Sequence, residues 1–285
     1  MKVDILKPIG YCIGVTNAIN SVLKIKEKYP ERNIYVFGSL VHNENVIDDL
    51  NKRGIISLDI KDPLEQLKKF TSEDIVIFTA HGHDERYEEI LKKNKVTFFD
   101  TTCDKVKNNL NVIKKNISRG VIFVGKTNHP ETLASLSISD EIYFYDLNKG
   151  MDFTKVKHTN PLIINQTTLS ILELKNIHQE IINHIPGALI ADEICSATRI
   201  RQEKISNLNN NYDLILIVGS VKSSNTDKLY QMAKFNYPKV DCFKINNVEE
   251  LKNINLNKYH YALIASGTST PISVVKEIEN KLKES

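Results

Sequence analysis

The chain has 285 residues, 41% of them hydrophobic and 26% charged, the composition of an ordinary globular protein with room for two or three domains. A formal net charge of +3 is too small to argue for a nucleic-acid partner, and the lysines are scattered as on solvated helix faces. No apolar run approaches the roughly 20 residues of a membrane helix, and the N-terminus lacks a signal-peptide layout, so a cytoplasmic protein without a membrane partner is expected.

In chain order, Met1 to Leu6 reads as a first strand. Cys12 follows, then a candidate helix over Asn17–Lys28. The run Ile34-Tyr35-Val36-Phe37 stops at Gly38, with His42 and Asn43 just beyond, and a second run, Ile75 to Ala80, leads into His81. Cys103 opens a second copy. Its first strand, Val121 to Val124, stops at Gly125 before His129-Pro130-Glu131; its second, Leu162 to Asn165, leads into Thr167 and Thr168, then a candidate helix over Ser170–His184. Cys195 opens a third, with a candidate helix over Glu203–Asn210 and a strand, Leu214 to Val218, that stops at Gly219. Ser223, Ser224 and Asn225 come next; a second strand, Ala262 to Ala265, leads into Thr268 and Ser269, then a candidate helix over Ser273–Glu284.

Cys12, Cys103 and Cys195 lie 91 and 92 residues apart, and 90 residues follow the last. Self-similarity at one period signals repeated units, and strands alternating with helical stretches imply βαβ units with parallel sheets. We expect three similar α/β domains, 1–102, 103–194 and 195–285, with small parallel sheets in pseudo-threefold arrangement. Equivalent loops would converge on one point, together with one cysteine from each unit.

Four cysteines in a chain of this kind do not suggest a disulfide framework and are better examined as ligands or nucleophiles. Three thiolates gathered from distant positions could hold zinc or an iron–sulfur cluster; three buried core thiols is the bland alternative. Structural zinc usually takes four ligands from C-x-x-C knuckles, which are absent. A four-iron cluster held by three cysteines would keep one iron open. Cys242 lies in an alternating, strand-like run and has no counterpart in the other units, so it reads as a core cysteine. The loop residues His42, His81, His129, Thr167, Ser223, Ser224, Asn225 and Ser269 offer neutral or switchable donors and few fixed cations. That set suits a phosphate or diphosphate. Glu131 beside His129 is the clearest acid–base pair; a carboxyl near bound anions would have a raised pKa and could donate a proton near neutral pH.

The sequence resembles the 4-hydroxy-3-methylbut-2-enyl diphosphate reductase (IspH/LytB) family over nearly its whole length. The resemblance is carried by Gly10-Tyr11-Cys12-Ile13-Gly14-Val15, Val41-His42-Asn43, Ala80-His81-Gly82 and Asp100-Thr101-Thr102-Cys103. It continues in His129-Pro130-Glu131, Gln166-Thr167-Thr168-Leu169-Ser170, Ile194-Cys195-Ser196-Ala197-Thr198, Gly219-Ser220, Ser223-Ser224-Asn225 and Gly267-Thr268-Ser269-Thr270-Pro271. The resemblance implies three α/β domains around a central 4Fe–4S cluster held by Cys12, Cys103 and Cys195, with one open iron site for the substrate's hydroxyl. It implies that His42, His81, His129, Ser223, Ser224, Asn225 and Ser269 hold the diphosphate, that Thr167 lies near the reacting end and that Glu131 donates the proton. The implied reaction is the reductive dehydroxylation that ends the non-mevalonate isoprenoid pathway, giving isopentenyl and dimethylallyl diphosphate, with a flavodoxin or ferredoxin as electron donor. Departures from the family pattern stand at Asp104, Leu133-Ala134, Ser196, Ile200 and Ile272; no implied ligand or proton donor is lost. A zinc-dependent phosphate-ester hydrolase and an iron–sulfur redox sensor are the rival readings.

Overall fold

The computed structural model describes residues 1–191, 194–209 and 211–284. The chain opens with β1 (Lys2–Ile5) and α1 (Ile13–Lys28). Then come β2 (Asn33–Phe37), α2 (Glu44–Lys52), β3 (Ile55–Ser57), α3 (Pro63–Leu67), β4 (Asp74–Phe78), α4 (Arg86–Lys93) and β5 (Thr97–Asp100). The middle of the chain forms α5 (Asp104–Asn116), β6 (Val121–Gly125), α6 (Pro130–Leu136), β7 (Tyr143–Asp146), β8 (Leu162–Asn165), α7 (Ile171–His184) and β9 (Leu189–Ile190). The last part forms α8 (Ser196–Ser206), β10 (Leu214–Val218), α9 (Ser224–Asn236), β11 (Asp241–Ile245), β12 (Tyr261–Ser266) and α10 (Ile272–Glu284).

These strands make three four-stranded parallel sheets, ordered β3-β2-β4-β5, β7-β6-β8-β9 and β11-β10-β12-β1. The central strands are near-continuous apolar runs because helices cover both faces. Ile75 to Phe78, Val121 to Val124 and Leu214 to Val218 are all buried, and α1 presses Val15, Ala18 and Val22 onto the first sheet. The three orders are the same order. In each sheet a cysteine-capped helix leads into the second strand from one edge, and the strand at the opposite edge leads into the next cysteine.

One strand is displaced relative to the expected units. β1 falls within 1–102 but pairs with β12, Val3 opposite Ala262 and Ile5 opposite Ile264, so it belongs to the sheet of the last third. Its Val3 and Ile5 pack on that sheet's core beside Leu216, Ile264 and Val275. Asp4 accepts hydroxyls from Tyr212 and Tyr261. β1 is therefore the counterpart of β5 and β9, carried at the other end of the chain. The Met1 amino group donates to the Leu282 carbonyl at 3.3 Å, which puts the start of β1 beside the end of α10.

The helices also start earlier than expected. Asn17–Lys28 extends back to Ile13, and Glu203–Asn210 is replaced by α8 over Ser196–Ser206; Asn210 itself lies outside the described residues. Both begin immediately after a cysteine at the N-cap position. Cysteine is not a usual capping residue, so no start signal was readable. Ser170 stands at the N-cap of α7, yet its hydroxyl makes no capping bond; the Ile171 amide is instead received by Gln202 Oε1 at 2.9 Å. Ser273–Glu284 is observed as α10 from Ile272.

The permuted order generates a test. Joining Glu284 to Lys2 through a linker of about three Gly/Ser residues and opening the chain in the turn at Asn94 should give a protein that folds. Its circular dichroism and melting temperature should match the parent's; a chain that stays unfolded would refute the equivalence of β1 with β5 and β9.

Candidate active site

The three sheets direct one cysteine each to the centre. Cys12, Cys103 and Cys195 all hold the N-cap position of a helix in extended backbone geometry, and none uses its side chain to cap. The Cys12 amide donates to the Thr268 carbonyl at 2.9 Å, that of Cys103 to Ala80 at 3.0 Å and that of Cys195 to Thr167 at 3.1 Å. Each acceptor lies just past the last residue of an inner strand: β12, β4 and β8. Burial pushes the Cys103 thiol up, while the Lys105 and Val106 amides at the start of α5 pull it down. Gly14 permits the thiols to approach: a Cβ there would stand 2.5 Å from Cys103 Sγ and 4.0 Å from Cys12 Sγ.

The loops past β2, β4 and β6 bring the imidazoles together. His42 and His81 stack at 4.2 Å between ring centroids, and His129 meets them edge-on at 5.5 and 5.9 Å. All three are driven toward the neutral form. Burial lowers His42, with Lys222 assisting and Glu44 opposing; burial and its two neighbours take His81 well below the usual imidazole value. Burial, then His42 and Lys126, hold His129 at about 3. His129 also caps α6, its Nδ1 accepting from the Glu131 amide at 3.2 Å, which fixes the tautomer with the proton on Nε2.

The hydroxyls and amides are partly committed to the scaffold. Ser223 caps α9 by accepting from the Thr226 amide at 3.3 Å, and Asn225 Oδ1 receives the Thr268 amide at 3.0 Å. Ser269 donates to the His42 carbonyl at 3.2 Å, and Ser224 Oγ accepts from Gln166 at 3.4 Å. Asn43, adjacent to His42, caps α2. The Ser269 bond ties the third unit to the first, and the Ser224 bond ties it to the second.

Glu131 sits in the first turn of α6 and is 2% exposed. Its Oε1 accepts the Thr167 amide at 2.9 Å, and its Oε2 lies 2.8 Å from the Thr167 hydroxyl. Burial pushes its pKa up to about 7, although the Thr167 bonds and the nearby Lys105 favour the carboxylate. Desolvation wins because two hydrogen bonds replace only part of the lost hydration.

All twelve residues singled out in the sequence line one cavity of about 90 Å³: Cys12, His42, His81, Cys103, His129, Glu131, Thr167, Cys195, Ser223, Ser224, Asn225 and Ser269. Cys242 does not; it lies in β11 against the apolar core, and burial pushes its thiol up to about 12. Two residues were not assigned a role beforehand. Lys105, the second residue of α5, lines the cavity. Arg201, 5% exposed, donates to the carbonyls of Gly10, Ser266 and Ala197, tying the Cys12 loop and β12 to the helix after Cys195. Nothing in a lone Lys105 marks it as a cavity residue; Arg201 carried a signal only as part of the motif after Cys195.

The fold and site define a three-lobed α/β enzyme with a thiol-lined centre and a binding wall built for an anion. A family model described as LytB protein matches residues 3–283. The 4-hydroxy-3-methylbut-2-enyl diphosphate reductase of Malacoplasma penetrans is 32% identical over 282 residues, covering 95% of this chain and 93% of that protein. The reductase of the same name from Shouchella clausii is 31% identical, covering 96% and 89%. Among solved structures, the E-1-hydroxy-2-methyl-but-2-enyl-4-diphosphate reductase from Plasmodium falciparum superposes with a TM-score of 0.85 at 28% identity, covering 98% of this chain and 87% of that one. A structure described as the terminal enzyme of the non-mevalonate pathway aligns over 100% of both chains with a TM-score of 0.68 at 25% identity. The chain belongs to the LytB family of 4-hydroxy-3-methylbut-2-enyl diphosphate reductases, an iron–sulfur enzyme family.

The Glu131 environment predicts a pH-dependent stability effect. A carboxyl raised from 4.5 to about 7 holds its proton longer in the folded than in the unfolded state, so stability is lost as pH rises across that interval. Glu131→Gln should therefore raise the melting temperature at pH 8, by at most about 3 kcal/mol of stability, and leave it little changed at pH 4. Thermal unfolding of both proteins at the two pH values checks this; equal shifts at both would show that the carboxyl is not protonated by burial.

Proposed function

We propose that this chain reductively dehydroxylates 4-hydroxy-3-methylbut-2-enyl diphosphate to isopentenyl and dimethylallyl diphosphate, using one 4Fe–4S cluster held by Cys12, Cys103 and Cys195. The observation that carries the reading is a buried carboxyl with a pKa near 7 in the same cavity as three thiols and a ring of uncharged anion-binding donors. The thiols suit a cluster better than a single ion. Among the described residues no three His, Cys, Asp or Glu side chains stand close enough to hold one metal ion. Any side chain at Gly14 would crowd the Cys103 sulfur, so the glycine keeps that sulfur's surroundings clear.

A cluster held by Cys12, Cys103 and Cys195 would supply electrons one at a time and a Lewis acid for the substrate's hydroxyl. The protein's residues do the rest. His42, His81 and His129, neutral by burial, donate to the diphosphate together with Ser223, Ser224, Asn225 and Ser269. Thr167 positions Glu131 through both carboxyl oxygens. Glu131 protonates the departing hydroxyl as water, and a second proton taken up at either end of the allylic unit gives one product or the other. Two electrons and two protons are consumed for each water released. A flavodoxin- or ferredoxin-type protein is the electron donor in this reading. The four free cysteines support placement in a reducing compartment, the cytoplasm, and no described helix is long and apolar enough to cross a membrane. The chain divides functionally as 1–102, 103–194 and 195–285, each part bringing one cysteine and two donor loops.

Two experiments test this. Anaerobically purified protein should carry about four irons and turn over the allylic diphosphate with a chemical reductant. Cys103→Ser should lose the cluster and Cys242→Ser should keep it; a colourless, zinc-loaded parent would refute the reading. In the second, kcat should fall about tenfold per pH unit above pH 7, following loss of the Glu131 proton, and Glu131→Gln should lower kcat by about 10²–10⁴ and flatten that limb. Full activity in the variant would remove the proton-donor role.

A further inference from the structure

A second cavity adjoins the first. It is a cleft of about 900 Å³, within the size range of small-molecule sites, whereas the central cavity, about 90 Å³, is below it. His42 lines both. Elsewhere the wall between them is one residue thick, because neighbouring residues face opposite ways. His129 and Glu131 line the centre while Asn128 and Pro130 line the cleft; Ser223 lines the centre and Lys222 the cleft; His81 lines the centre and Gly82 the cleft. Two of the cleft-side residues, Asn128 (φ 62°) and Gly82 (φ 88°), are left-handed, so the wall is made of sharp turns at these points and of the first turn of α6 at Pro130 and Glu131.

The electrostatics point the same way. The three central histidines are neutral, so apart from Lys105 the donors that would meet the diphosphate there are uncharged. In the cleft Arg86 is bound to Asp84 through Nε and Nη2 at 2.5–3.0 Å. Lys222 is the exception. Its side chain is 70% exposed, and its Nζ stands 3.9 Å from Glu44 Oε1, a contact loose enough to exchange for a diphosphate oxygen. It immediately precedes Ser223, at the start of α9.

We propose that this cleft is the route by which the diphosphate substrate reaches the central cavity, and that Lys222 captures it at the wall before the His42 loop admits it. The proposal rests on the function proposed above. Entry requires the turns at Asn128, Lys222 and Gly82 to part, which moves donors from all three units at once and then closes them around the bound anion.

Stopped-flow binding of the allylic diphosphate to cluster-loaded protein tests the route. Lys222→Gln should slow association about five- to tenfold at low salt, and the difference should vanish at high salt, because steering by an exposed charge is screened. Leu133, on α6 in the cleft, is 54% exposed, so Leu133→Trp adds bulk without removing core packing. It should slow association and dissociation alike and leave Kd within about twofold. Leu133→Ala, which widens the cleft, should not slow association and keeps the test intact if the tryptophan variant misfolds. Association rates for Lys222→Gln and Leu133→Trp equal to the parent's would overturn the route while leaving the reaction standing. A parent that neither binds nor reduces the allylic diphosphate would overturn the functional reading itself.

Discussion

The architecture depends on one hydrogen bond made three times. The amide of each cysteine donates to a carbonyl just past an inner strand of the sheet before it, at 2.9, 3.0 and 3.1 Å. Each bond fastens the head of one helix to the sheet of the neighbouring unit and turns its thiol to the centre. The cysteine amide is among the helix-start donors that lack an intrahelical partner, so the bond satisfies a group that would otherwise need water. Arg201 reinforces the Cys12 junction by gathering carbonyls from the Cys12 loop, β12 and α8.

Burial then does the electrostatic work. The same enclosure pushes three imidazoles down and one carboxyl up, so the donor wall and the acid are all neutral at once. Desolvation is the largest cause in every case; hydrogen bonds and neighbouring charges only modulate it. The wall donors are then uncharged, and long-range attraction falls to the charged residues, Lys105 inside the cavity and others outside it.

Much of the site was legible in the sequence because it repeats. The spacing of Cys12, Cys103 and Cys195, and the donors at matching strand ends, pointed to convergence, and all twelve residues line one cavity. What escaped were features with no local signature. β1 looks like any edge strand until its partner β12 is known, and that pairing spans nearly the whole chain. The starts of α1 and α8 were missed because a cysteine stands where a capping side chain is usual. Lys105 lies among many solvated lysines. The alternation of residues between the two cavities depends on turn geometry that composition does not encode.

The displaced first strand also sets an order of assembly. Gly10 bonds to Ser266, 256 residues away, and Cys12 bonds to Thr268 beside it. During synthesis the first thiol and its strand leave the ribosome long before the strand that receives them. The middle sheet can close locally, but the junction holding Cys12 in place waits for β12. Such long-range closure is slow and leaves β1 unpaired in the meantime. The thiol-lined centre is thus a property of the finished chain, and a nascent or truncated one presents at most two of its three cysteines in register.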